Sequence, residues 1–307
     1  MNFAFTDEQE QLRHEARAFL ASRERPEWRQ LAELGWLGVS IPEELGGAGL
    51  GFLEEAVLFE ELGRALYSGP YFATVGLALP ALGDEQLARV AAGEERWSAE
   101  VNGLVPDLGS VDRVVTADGA APAEGETLAT MDETRPLGRL AAGGGRTPLP
   151  GALDRPRTLA ALACEAVGVA QRALELGVEY ANGRRQFGRP IGVYQAVSHK
   201  LADTYVETEL ARSLAYWAAW SVAQHDEQAP LAAAAAKAYA AEAAVAACER
   251  AIQVHGGIGF TWEHELHRYY KRAQWIESFW GFPVEHRAAV AAWILEGARD
   301  GVPLGVA

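Results

Sequence analysis

The second half of this chain is a nearly continuous run of helix-favouring residues, cut at intervals by Pro190, Pro230, Gly256-Gly257 and Pro283. Proline removes a backbone donor and clashes with the preceding turn, and a glycine pair readily ends a helix, so these positions divide the run into separate elements. Apolar residues at helical spacing predict helices over 158–182, 192–225, 229–254, 262–278 and 284–298. Long helices with short connections bury their apolar stripes by lying antiparallel, which predicts a bundle. Ala232 to Ala236 and Ala238 favour the helix and permit close approach of its neighbours.

The first part of the chain is also helical in pattern. Thr6 and Gln9 have the spacing of a capping box, followed by Leu12, Ala16, Phe19 and Leu20 on one face. Pro26 suits a helix start and Gly35 a helix end, and Leu58, Leu62, Ala65 and Leu66 mark the apolar face of another helix. Gly47-Ala48-Gly49 invites comparison with a phosphate loop, but no strand-to-helix context surrounds it, so a plain turn is expected. From about 98 to 155 the texture changes to Gly, Pro, Asp and Thr with short apolar runs such as Val114-Val115, a small β-leaning region. The expected architecture is mainly α: an N-terminal helical domain over 1–97, a β region over 98–155 and a C-terminal antiparallel bundle over 156–307.

A formal net charge of -15 over 307 residues repels phosphate backbones and anionic membrane surfaces, which excludes general nucleic-acid and lipid binding as expectations. The Ala-rich run near 231–247 is interrupted by Lys237 and Glu242 and is too weakly apolar for a membrane span. Cys164 and Cys248 lack metal or redox spacing and read as core residues, fitting a reducing cytoplasm. The N-terminal stretch has neither the basic segment nor the apolar core of a secretory signal, so a cytoplasmic location is expected.

Three stretches carry candidate chemistry. GRRQFGRPIGVYQAV, from Gly183, sets arginines and an aromatic at a helix end. A guanidinium donates in a planar fork that suits a pyrophosphate, Phe187 can pack on a flat ring, and Gln195 offers an amide that donates and accepts. QVHGGIGFTWEHELHRYYKRA, from Gln253, has glycines where a backbone can approach a ligand, or where a helix merely turns. WIESFWG places Glu277 among aromatics, where lost hydration would raise a carboxyl pKa toward the range of a general base. His264 and His267 are three apart, which is not the spacing of a zinc hydrolase helix, and no metal site is expected.

Taken in order, FTDEQEQLRHEARAFL, LAELGWLGVSIPEELGGAGLG, FEELGRAL, RRQFGRPIGVYQAV and QVHGGIGFTWEHELHRYYKRA resemble the acyl-CoA dehydrogenase family of flavoenzymes. The resemblance implies an FAD held between the β domain of one subunit and the bundle of another. It assigns Arg184, Gln186, Phe187, Gln195, Gln253, His255, Gly256 and Gly257 to the bundle side of that site.

Two departures from the family pattern bear on function. The β region is about half the family's length and lacks the Thr-rich, glycine-containing segment that binds flavin and substrate. The family's catalytic glutamate, just before a glycine, is replaced by Trp280 before Gly281, and the alternative family position falls near Thr158. Glu277 is then a weak candidate base, one helical turn away and expected on the same face as Trp280. The resemblance therefore implies a smaller, non-catalytic subunit of a heteromeric enzyme, similar to the shortened chains of α2β2 steroid side-chain acyl-CoA dehydrogenases. A full-length homologue would share the FAD and bind the acyl-CoA, and an electron acceptor such as an electron-transfer flavoprotein would follow. The alternatives are a self-sufficient homotetramer with an unassigned base and a helical scaffold that has lost flavin.

Overall fold

The computed structural model describes residues 5–22, 26–143 and 145–299. The ends of the expected first and last regions, 1–4 and 300–307, lie outside them. The first helices are α1 (Asp7–Ala21), α2 (Trp28–Glu33), α3 (Phe52–Arg64) and α4 (Asp84–Ala91). The Thr6 hydroxyl accepts from the Gln9 amide while the Gln9 side chain accepts from Thr6, the reciprocal cap that the spacing predicts. The apolar repeat expected to run through Leu66 stops earlier. α3 ends at Arg64, and Leu66 adopts a left-handed φ of 51° that turns the chain away. A π-helix over Phe72–Ala78, buried throughout, follows and has no counterpart in the periodicity.

The loop containing Gly47-Ala48-Gly49 is folded onto itself. Its amides donate to Pro42, Gly38 and Ile41 carbonyls, so no row of N–H groups is left to cradle a phosphate.

Between the helical halves lie β1 (Trp97–Ala99), β2 (Val105–Pro106), β3 (Arg113–Thr116), β4 (Gly119–Pro122), β5 (Gly125–Thr127) and β6 (Leu137–Leu140). They form two three-stranded sheets, β1-β3-β4 and β2-β6-β5. β1 runs parallel to β3 with Trp97 opposite Arg113, and the other pairs are antiparallel. Val114 and Val115 are both buried on β3.

The bundle is α5 (Arg155–Gly183), α6 (Gln195–Ala223), α7 (Ala229–His255), α8 (Leu266–Ser278) and α9 (Pro283–Arg299). Asp154 caps α5 by accepting from the Arg157 amide, with Pro156 in the first turn. α6 starts later than periodicity predicts, because Ile191–Val193 is a separate 3-10 turn after the hairpin β7 (Arg185–Gln186) and β8 (Arg189–Pro190). α8 also starts late, at Leu266, whose amide donates to the His264 ring. α7 is the alanine-rich helix. It is long and apolar enough to cross a membrane by composition alone, yet it packs against α5, α6, α8 and α9 and most of it is buried. Helices from both ends of the chain share one apolar core. At the α3–α5 crossing a Cβ on Gly168 would collide with the Glu60 carbonyl, so glycine is what permits the two backbones to touch.

Candidate functional site

One end of the bundle gathers the two arginine- and glycine-bearing motifs. α5 and α7 finish there together, and the Tyr180 ring stacks on His255 at 4.2 Å between centroids. Beyond that contact the chain leaves α5 through the β7–β8 hairpin and leaves α7 through a 3-10 turn over Gly256–Phe260. The hairpin is closed by Phe187 at a φ of 51° and Gly188 at 82°. Its root is tied by the Arg184 amide donating to Tyr180 and by Ile191 donating back to Arg184. The backbone is therefore fixed while the side chains face solvent: Arg184, Arg185, Gln186 and Arg189 are all exposed, Arg185 and Gln186 donating only to the hairpin's own carbonyls and Arg189 lying near the Tyr194 ring, and Phe187 is 90% exposed.

Across from the hairpin, Gln253 is exposed at the end of α7, and Gly256 takes a φ of 62° that favours glycine. Phe260 and Trp262 are each 75% exposed. Gln195 starts α6 beside Tyr194, whose ring meets Phe187 edge-on at 6.4 Å. Of the sequence-predicted residues, His255 alone faces inward: it is buried, and its Nδ1 lies 2.8 Å from the Ala251 carbonyl. Burial pushes its pKa down, with a further push from nearby His264, so it favours the neutral ring. His264 and His267 diverge, the first accepting from the Leu266 amide and the second facing the Trp262 ring. Sequence reasoning missed Phe260 and Trp262, because large aromatic side chains are on average buried and nothing local marks these two as exposed.

This crown of cationic forks and open aromatic faces stands on an acidic protein. It offers planar donors for phosphate oxygens and apolar faces for a flat ring, a combination that fits one wall of an FAD site.

The other candidate region lies at the end of α8, and here the structure corrects an expectation. Glu277 and Trp280 do not share a helical face. α8 stops at Ser278, and Trp280 and Gly281 take φ of 56° and 115°, reversing the chain. The reversal is pinned by two buried side chains, Lys237 and His286, and by the exposed Arg155. Lys237 Nζ on α7 donates to the carbonyls of Glu277 at 3.2 Å and Gly281 at 3.1 Å, His286 Nε2 lies 3.1 Å from the same Gly281 oxygen, and Arg155 donates to Trp280 O. Burial pushes the Lys237 ammonium down to about 8, and burial with the neighbouring Lys237 and Arg155 charges pushes His286 down to about 4. Burial raises the Glu277 carboxyl, helped by Glu242 and opposed by Lys237. Thr158 is buried with its hydroxyl 2.9 Å from the Gly76 carbonyl and 3.0 Å from Asp154 O, a structural role. The two cysteines are buried and pushed above the ordinary thiol range by burial, as core residues should be.

Inward of this turn the space is filled. Trp275 stacks on Phe279 at 4.5 Å and both meet Phe72 edge-on. Arg135 lies over Phe72 and Trp275 and donates to both Glu165 oxygens at 2.7 Å. Arg272 donates to Glu165 at 2.6 Å and Asp132 at 2.7 Å. Burial alone would raise the Glu165 carboxyl, but the two guanidiniums outweigh it and hold it below its ordinary value.

The acyl-CoA dehydrogenase C-terminal domain profile matches residues 150–295 and the acyl-CoA dehydrogenase N-terminal domain profile matches residues 6–89. The chain belongs to the acyl-CoA dehydrogenase family. Among its relatives is acyl-CoA dehydrogenase IpdE2 of Mycobacterium tuberculosis, 39% identical over 260 residues that cover 80% of this chain and 79% of the relative. IpdE2 of Mycolicibacterium smegmatis is 37% identical over 84% of each chain. Among solved structures, a variant of the Tcur3481-Tcur3483 steroid ACAD superposes with a TM-score of 0.81 at 27% identity, covering 95% of this chain and 99% of that one. The ChsE4-ChsE5 complex of Mycobacterium tuberculosis gives 0.84 at 25% identity, covering 96% and 99%.

Proposed function

We propose that this chain is the smaller, non-catalytic subunit of a heteromeric FAD-dependent acyl-CoA dehydrogenase, completing the flavin site of a full-length homologue. The observation that carries this reading is the contrast at Trp280: where the family pattern puts its base, an indole stands on a turn pinned by Lys237, His286 and Arg155. An indole has no group able to take an α-proton. In this reading Arg184 and Gln186 hold the cofactor's phosphates, Phe187 covers a flat ring, and Gln195 with Gln253, Gly256 and Gly257 lines the remaining wall. His255 acts through Tyr180, keeping the two motifs in register. FAD, when bound, supplies the hydride acceptor for α,β-desaturation of an acyl-CoA. This chain's share is to bind and orient it and to exclude water from its edge.

Two further features belong to the same reading. Similarity to the Tcur3481-Tcur3483 steroid ACAD and to the ChsE4-ChsE5 complex supports an assembly of unlike subunits and a steroid side-chain acyl-CoA as substrate. A cytoplasmic setting with an electron-transfer flavoprotein as acceptor completes it.

The test is Glu277→Gln in the assembled enzyme, which removes the charge and keeps the shape. The expected result is a kcat within a few-fold of the parent. A fall of about two or more orders of magnitude, the scale of a lost general base, with FAD content and assembly intact would make Glu277 the base and the subunit catalytic.

A further inference from the structure

The sheets, the segment after α3 and the outer face of α8 enclose a polar cavity of about 220 Å³ that the flavin-site reading does not use. Asp107 forms its inner wall, with Ser68, Ser110, Glu133, Arg268 and Lys271 around it. Asp107 is 2% exposed, and its carboxylate accepts no hydrogen bond among the described residues, Oδ2 being out of contact with the cavity so that Oδ1 is the oxygen a ligand can reach. A buried carboxylate oxygen without a donor is costly and usually marks a missing partner. Asp132, next to it in the wall, is by contrast saturated by Thr134 and Arg272.

The charges are arranged in two layers. Inside, Arg135 and Arg272 balance Glu165 and Asp132, which leaves ionised Asp107 as one unmatched negative charge. Toward the opening, exposed Arg268 and half-buried Lys271 outnumber Glu133. Arg268 makes no ion pair among the described residues, and Lys271 rests over the Trp262 ring at 4.3 Å. The cavity is thus negative at its inner wall and positive at its mouth.

We propose that this cavity binds a small zwitterion, an aminated anion such as an amino-sulfonate or amino-phosphate, with its ammonium group on Asp107 and its anionic group between Arg268 and Lys271. The space is many times the roughly 10–15 Å³ that a single water needs, which leaves room for a small molecule of several heavy atoms. Burial raises the Asp107 carboxyl to about 7, against Arg135 and Arg272 and with Glu165 and Asp132; Tyr67 is the other titratable group coupled to it. An ammonium ligand requires the ionised form, so its affinity rises as pH is raised through about 7.

The experiment is calorimetric titration of the full-length chain with O-phosphoethanolamine and taurine, with ethylamine and inorganic phosphate as the separated halves. Saturable binding of a zwitterion, tighter than either half, is expected. Asp107→Asn should weaken it about tenfold or more, since a charge-assisted hydrogen bond is lost, and should abolish its pH dependence. Asparagine tolerates the left-handed φ of 54° at this position, so this variant should fold. The mouth pair Arg268→Ala with Lys271→Ala gives a second reading and should also weaken binding. Absence of saturable binding by both zwitterions, equal binding by phosphate alone, or affinity unchanged in Asp107→Asn would each overturn the proposal. None of these outcomes bears on flavin content, so failure here leaves the heteromer reading standing on its own test.

Discussion

The two ends of the bundle treat charged and aromatic side chains in opposite ways. At the crown, Arg184, Phe187 and Trp262 project from a fixed backbone with their functional faces open. At the far end of α8 and inward of it, Arg135, Arg272, Lys237 and Trp275 are buried, and the two arginines are paired with Glu165 and Asp132. Lys237 instead spends its protons on backbone carbonyls. The difference teaches where function can reside: open donors on a rigid frame are available to a ligand, whereas buried ones are committed to the fold.

The strongest way to break this contrast is to attack the buried side. Glu165→Gln leaves Arg135 and Arg272 short of a counter-charge in the core, and breaking such a network should cost about 3–5 kcal/mol, read by urea denaturation. A loss no larger than that of a surface substitution would mean the network is not integral to the fold.

Lys237 gives a pH signature. Its folded pKa lies below its unfolded value, so the unfolded chain binds more protons between about 8 and the ordinary lysine value of 10.5, and stability from this group rises with pH across that window. The shift corresponds to about 3 kcal/mol at full deprotonation. Lys237→Met should flatten that rise, measured as the change in Tm between the two ends of the window.

On the open side, Arg184→Ala in the assembled enzyme should weaken flavin retention by about 1.5–3 kcal/mol, roughly ten- to a hundredfold, and more than Arg189→Ala. Arg189 lies near the Tyr194 ring and acts within the hairpin, while Arg184 points to no partner of its own chain among the described residues. Equal losses would erase the distinction. The smallest effect sharpens it further: Phe187→Ala should change the stability of the isolated chain by no more than about 0.5 kcal/mol, because its ring is almost wholly exposed.

Much of this was legible in the sequence, and the exceptions share a cause. Thr6 with Gln9, the prolines and the glycine pair report on a few neighbouring residues, so periodicity and capping found the long helices. Arg135, Glu165 and Arg272 could not be read as buried, because a charge is placed in a core by partners 30 to 140 residues away. The same limit hid the π-helix at Phe72–Ala78, which tertiary packing holds. The error about Glu277 and Trp280 was local and avoidable: Gly281 followed by Pro283 already signals that α8 ends before the tryptophan.

The most direct test of the central claim is the FAD content of the purified chain, measured by absorbance after expression alone and after co-expression with a full-length homologue. The proposed heteromer predicts little flavin on the chain alone and stoichiometric flavin on the complex, because in that proposal the chain supplies only one wall of the site. A solitary chain that purifies with a full complement of FAD and oxidises acyl-CoA would contradict it.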